Sequence, residues 1–136
     1  KTQALDPITF VPEDYQWSIV GSASSVDWPA NNDCGAVGED LDLNYSGFTA
    51  GTNTYTWTSN GAIALIPGQF KFRTNHCWTY NKGYTGFTSI TGDGAADMSS
   101  SGPGDFNFVT STTASYIIKI KTTDDGATWT IDFDKQ

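Results

Sequence analysis

Only seven Lys and Arg stand against fifteen Asp and Glu in this chain, giving it a net charge of -8. So little positive charge argues against nucleic acid or an anionic lipid surface as partner, because binding there depends on neutralising phosphate with Lys and Arg. There is one His, His76, and there are two Cys, Cys34 and Cys77, too few to supply the four ligands of a structural zinc site. No apolar run approaches the ~20 residues needed to cross a bilayer. No charged-then-apolar leader opens the chain, as expected if a signal has been removed or if the sequence is a piece of something longer. No Ser lies in a GxSxG setting, and nothing longer than a turn has helical periodicity.

What is abundant is aromatic: five Trp, six Tyr and eight Phe in 136 residues, enough for one domain with a core built from rings. Residues 1–14, KTQALDPITFVPED, carry Pro7 and Pro12 without periodicity and read as a linker. From residue 15 to 136, short runs of period-two alternation recur between Gly, Asn, Asp, Ser and Pro clusters. FKFR sets Phe70 and Phe72 against Lys71 and Arg73, and FNF aligns Phe106 with Phe108. YIIKIK sets Tyr116, Ile118 and Ile120 against Lys119 and Lys121, and TWTIDF aligns Trp129, Ile131 and Phe133. TTDDGA, between the last two runs, is a hairpin turn with Asp and Gly where positive φ is needed. The expected architecture is all-β, most economically an immunoglobulin-like antiparallel β-sandwich of about seven or eight strands, with an up-and-down barrel or jelly roll as the alternative.

Two long loops without periodicity, residues 21–40 and 74–105, are where function is expected. Trp17, Trp57 and Trp129 are in phase with strand cores, whereas Trp28 and Trp78 fall in these loops. Each lies near one of the two cysteines. In an exported protein Cys34 and Cys77 form a disulfide tying two loops; in a reducing compartment they are free thiols. If they bond, their Cα atoms lie within ~7 Å and bring Trp28 and Trp78 to one end of the fold. Two exposed rings flanked by Lys71, Arg73 and Asn81 suit a saccharide, whose C–H faces pack on rings while its hydroxyls take donors at the edge. The plainer reading of Lys71 and Arg73 is a solvated strand face.

Other constellations are weaker. Asp93 and Asp97 in TGDGAAD, and Asp124 and Asp125 in TTDDG, lack the EF-hand spacing with its final Glu and are ordinary turn chemistry, so no metal or cofactor is expected. A glycosidase needs two carboxylates across a cleft. Asp27, Asp33, Glu39 and Asp40 are candidates near Trp28, but any acidic surface supplies such residues, and the expectation is a protein without catalysis.

WSIVGSA, VDWPAN, YTWTSNGAIALIPGQFKFR, NHCW, YNKG and GDFNFVTSTTASYIIKIKTTDDGATWTI, in that order, resemble the C-terminal domains of the SusE and SusF family, surface lipoproteins of Bacteroidetes starch-utilisation systems. The resemblance spans most of residues 15–133 and is sharpest at Gly68–Arg73 followed by Trp78. It implies a β-sandwich without catalysis that holds an α-glucan at the outer surface of the outer membrane, within a longer lipoprotein and beside other Sus-like subunits. It also implies a platform of two aromatic side chains, with a Lys and a polar partner bonding the glucose O2 and O3. On this chain Trp28, Lys71, Trp78 and Asn81 match those positions, with Arg73 and Tyr80 adjacent. The cysteines and the loop NNDCGAVGED stand outside the resemblance.

Overall fold

The computed structural model describes residues 10–30, 34, 40–103 and 106–136, and over these the chain is all-β. The strands are β1 (Trp17–Val20), β2 (Leu41–Thr49), β3 (Thr54–Ser59), β4 (Ile63–Leu65), β5 (Gly68–Thr74) and β6 (Asn81–Lys82). They continue with β7 (Ser89–Thr91), β8 (Met98–Ser100), β9 (Phe108–Thr110), β10 (Ala114–Thr123) and β11 (Thr128–Lys135). Among the described residues eleven strands stand where seven or eight were expected. The surplus comes from pieces such as β4, β6, β7 and β8, of two or three residues each, too short to display an alternation.

Hydrogen bonding follows the path β7-β11-β10-β3-β2-β1-β5-β9-β8, with β4 on β10 and β6 on β5. All pairs are antiparallel except β7 with β11. The start of β2 pairs with β1 and its remainder with β3, so this one strand carries the sheet around a corner. Curling brings the two ends face to face in a sandwich-like arrangement. Phe133 of β11 meets Phe70 of β5 at 6.1 Å and Phe108 of β9 at 5.7 Å, and Trp129 meets Trp17 of β1 at 5.1 Å.

Alternation accounts for the core. Phe70, Phe72, Tyr116, Ile118, Ile120, Trp129, Ile131 and Phe133 are all buried, while Lys119 between them is exposed, because successive side chains leave a strand on opposite faces. Phe70 and Phe108 stack at 4.9 Å. One aromatic residue departs from the expected phase. Phe106 is half exposed because β9 begins only at Phe108, so the alternation does not extend back to it. Tyr45 stands partly exposed at a bulge where the β2–β3 register shifts between Tyr45 and Gly47. The β10–β11 turn has the expected backbone, with φ of 53° at Asp124, 55° at Asp125 and 94° at Gly126.

Of the expected linker, residues 1–9 lie outside the described residues. Its last part packs on the sheet: Phe10 is buried and lies 4.9 Å from the Tyr15 ring and 4.7 Å from that of Tyr55. Pro12–Asp14 makes one 3-10 turn, opened by the proline as its fixed φ favours.

The far end of the sheet is tied by Asp97, which accepts from the Tyr116 hydroxyl at 2.7 Å and pairs with Lys135 Nζ at 3.0 Å. Burial first, then the bond and charge of Asp97, push the Tyr116 phenol up to about 12 from its ordinary 10.0. A folded value above the unfolded one means that this contribution to stability is intact below pH 10.0 and is lost as pH rises toward 12. Tyr116→Phe is therefore expected to delete the last phenolate seen in an ultraviolet titration of the folded protein and to remove part of the stability loss in that window. Unchanged titration would refute the assignment.

Candidate functional site

The site is built on the outer face of β5. Phe70, Phe72 and Thr74 point inward, so Lys71 and Arg73 take the opposite face. The described start of the first long loop, residues 21–30, packs along β5. Ala23 donates its N–H to the Gln69 carbonyl at 2.9 Å, and Gly21 bridges to Asp27. A Cβ on Gly21 would sit 2.4 Å from the Gln69 carbonyl oxygen, and the residue's φ is +134°, so only glycine lets the two chains approach this closely.

Burial changes the role of Arg73. The expectation of a solvated donor fails: Arg73 and Asp40 both have fully buried side chains. The guanidinium donates from Nε to Asp40 Oδ2 at 2.6 Å and from Nη2 to Oδ1 at 2.7 Å, and Ser18 Oγ donates to Oδ2 at 2.6 Å. Such a fork fixes direction as well as charge. Burial pushes the Asp40 carboxyl up, but the bonds from Arg73 and Ser18 and the nearby positive charge outweigh it and hold the carboxyl below the ordinary carboxylate range. A carboxylate held ionised is no proton donor near neutrality. Of the other carboxylates weighed, Asp27 is exposed, and Asp33 and Glu39 lie outside the described residues.

Above Arg73 lies Trp78, its ring centroid 4.8 Å from the guanidinium carbon, a cation–π contact in a dry setting. Trp28 comes to it from the first loop, with ring centroids 6.2 Å apart and planes inclined at 38°. Trp28 is 39% exposed and Trp78 half-buried. Beside the pair, Lys71 Nζ donates to Asn81 Oδ1 at 2.7 Å, and Asn81 Nδ2 donates to the Trp78 carbonyl at 3.0 Å. The register of β6 against β5 sets Asn81 opposite Arg73 and Lys82 opposite Phe72, which puts Asn81 on the outer face. Trp28, Lys71, Trp78 and Asn81 are thus gathered on one face, with Arg73 beneath them as support.

Tyr80 is not with them. Its ring packs at 5.7 Å from Trp17 and 5.9 Å from Tyr15, on the core side of the sheet, with Lys82 Nζ 5.3 Å above it. Residues 78 and 80 belong to a turn rather than a strand, so spacing alone could not say which face each would take.

Several bonds hold the Trp78 turn. Cys34 and Cys77 form a disulfide with Cα atoms 4.9 Å apart, joining the two long loops. Asn75 and His76 both adopt left-handed backbone, φ 57° and 59°, a conformation in which Asn and His are enriched among non-glycine residues. Asn75 donates its N–H to the Gln16 carbonyl at 2.9 Å and its Nδ2 to the Asp14 carbonyl at 2.8 Å, and His76 Nε2 bonds Asp42 Oδ1 at 2.7 Å. The residues that sequence reasoning missed are these supports: Ser18 and Asp42, and Asp40 as the counter-ion of Arg73. An Arg between the core positions Phe72 and Thr74, opposite a loop rich in acids, was the available signal.

No family model, curated protein or solved structure matches the chain. The chemistry of the site is therefore taken from its own geometry. Two inclined, partly exposed indoles with an ammonium and an amide at their edge can pack against C–H faces and bond vicinal hydroxyls.

Proposed function

We propose that this chain is a non-catalytic carbohydrate-binding domain of the SusE/SusF kind, on an immunoglobulin-like sandwich scaffold, that holds an α-glucan such as starch at the cell surface. The observation that carries the reading is the Trp28–Trp78 pair, inclined at 38° and bordered by the Lys71–Asn81 bond. Inclined rings follow the curvature of a helical glucan where coplanar ones suit a flat chain. In this reading Lys71 and Asn81 bond the glucose O2 and O3. The setting that goes with it is the outer membrane, in a longer lipoprotein next to other glycan-uptake subunits, where several weak sites together retain one polymer.

The isolated domain is expected to be retarded in a native gel containing amylopectin, with no sugar released. Trp28→Ala is the cleaner variant, because Trp78→Ala also uncovers Arg73. Loss of either ring is expected to cost about 2 kcal/mol of binding, roughly thirtyfold in Kd, as for a central aromatic anchor. Wild-type mobility in both variants would sink the proposal. A structural module whose exposed Trp28 docks another subunit is the second reading, favoured by unchanged tryptophan fluorescence across a panel of soluble glycans.

A further inference from the structure

The face of β2 and β3 that carries Trp57 into the core continues beyond it as a group of rings open to solvent. Tyr45 stands opposite Trp57 and Phe48 opposite Tyr55. In a regular strand Phe48, three positions from Tyr45, would leave on the other face. The bulge between Tyr45 and Gly47 inserts one residue and returns Phe48 to the Tyr45 side. Ser46 turns the other way, its hydroxyl bonded to the Thr56 carbonyl at 3.0 Å and the Thr58 hydroxyl at 2.9 Å. Re-aiming a side chain in this manner is what bulges do beside functional sites.

These rings are arranged much as the Trp28–Trp78 pair is. Tyr55 touches both neighbours, with the Phe48 ring at 4.6 Å and 41° and the Tyr45 ring at 6.4 Å and 35°. Phe48 is 46% exposed and Tyr45 37%, against 39% for Trp28. Among the described rings Phe48 meets only Tyr55, which leaves its other face to solvent. At the edge are the Tyr45 and Tyr55 phenols, neither with a hydrogen-bond partner among the described residues. Burial first, then Tyr55 and the charge of Glu13, raise the Tyr45 phenol above its ordinary 10.0, so near neutrality it keeps its proton and can donate. Glu13 itself is exposed on the Pro12–Asp14 turn and adds an acceptor.

The polar edge decides the ligand. An apolar protein surface laid on these rings would bury both phenols unpaired, at a cost comparable to what the ring contacts supply. A phosphate polymer is repelled by Glu13 and by the net charge of -8. A pyranose meets both demands, because its C–H face packs on rings while its hydroxyls bond phenols and carboxylate. We infer that Tyr45, Phe48 and Tyr55 form a second aromatic platform, for a neutral saccharide. It does not rest on the reading of Trp28 and Trp78. Its rings are smaller than indoles, which makes it the weaker of the two platforms.

The test follows backbone amide shifts of the Trp28→Ala chain, in which the first platform is broken, during titration with maltoheptaose, cellohexaose and mannohexaose. Oligogalacturonate is the charged control. At least one neutral probe is expected to move the amides of residues 45–48 and 54–57, and the control is expected to move none of them. Adding Phe48→Ala should weaken that binding roughly tenfold. Tyr45→Phe, which keeps the ring and drops the phenol, should weaken it about threefold. Both variants should keep the native circular dichroism spectrum. Absence of shifts at residues 45–48 with every neutral probe, undiminished binding by Phe48→Ala, or equal binding of oligogalacturonate would each overturn the inference. So would a dimer in sedimentation that Phe48→Ala abolishes with no effect of any sugar, since the rings would then be an interface between copies. Shifts confined to the surroundings of Trp78 in the wild-type chain would overturn it while supporting the first platform.

Discussion

Asp40→Ala is expected to destabilise the protein by about 3–5 kcal/mol, because it strands the Arg73 guanidinium in a dry interior without its counter-ion. Urea unfolding followed by tryptophan fluorescence measures it. Replacing both partners with apolar residues, Asp40→Leu with Arg73→Met, is expected to recover most of that loss, since a buried pair contributes little net once its desolvation is counted. A single variant as stable as wild type would mean that water reaches the guanidinium. The pair also sets an acid limit. The folded carboxyl titrates below its ordinary 3.8, so its contribution is present above that pH and is lost as pH falls through the folded value. Asp40→Ala should lack this part of the acid limb.

Removing the disulfide is the second large effect. Cys34 and Cys77 are 43 residues apart, and closing a loop of that length stabilises by about 4 kcal/mol in the chain-entropy account. For a domain of this size, Cys34→Ser/Cys77→Ser should lower the melting temperature by roughly 10–20 °C. Reductant should do the same to the wild type and nothing to the variant. The functional result goes further, because this bond is a covalent link between the loop holding Trp28 and the turn holding Trp78. Amylopectin retardation should fall even where the reduced protein is still folded. A reduced domain with unaltered melting and binding would show that the non-covalent supports of the turn suffice.

The long strands were legible in the sequence because their period-two pattern is local. FKF, YIIKIK and TWTIDF each state which residues enter the core, and TTDDGA states its turn. What alternation cannot state is what covers the other face. Lys71 and Arg73 have the same phase, yet Lys71 is half-buried beside Asn81 and Arg73 is fully buried beneath Trp78 and paired with Asp40. That difference depends on a long-range contact between residues 33 apart, Arg73 and Asp40. Trp28 and Trp78 could be singled out because a tryptophan out of phase with any strand needs another explanation, and the cysteines suggested that they meet. Tyr80 was grouped with them by proximity in the chain. A turn with two left-handed residues breaks the link between spacing and face, and the ring went to the core side.

The left-handed pair Asn75–His76 has a kinetic consequence. It reverses the chain in very few residues, and the bonds from Asn75 to Gln16 and Asp14, with the disulfide one residue beyond His76, hold Trp78 in place before any ligand arrives. Encounter then requires no loop to close, so association should proceed at the ordinary orientational limit of about 10⁵–10⁷ M⁻¹s⁻¹, and differences in affinity among glycans should show as differences in dissociation rate. On the proposed carbohydrate-binding reading, a glucan chain held this way would be released from one domain and captured again by the next, and so would move along a row of such domains without leaving the surface.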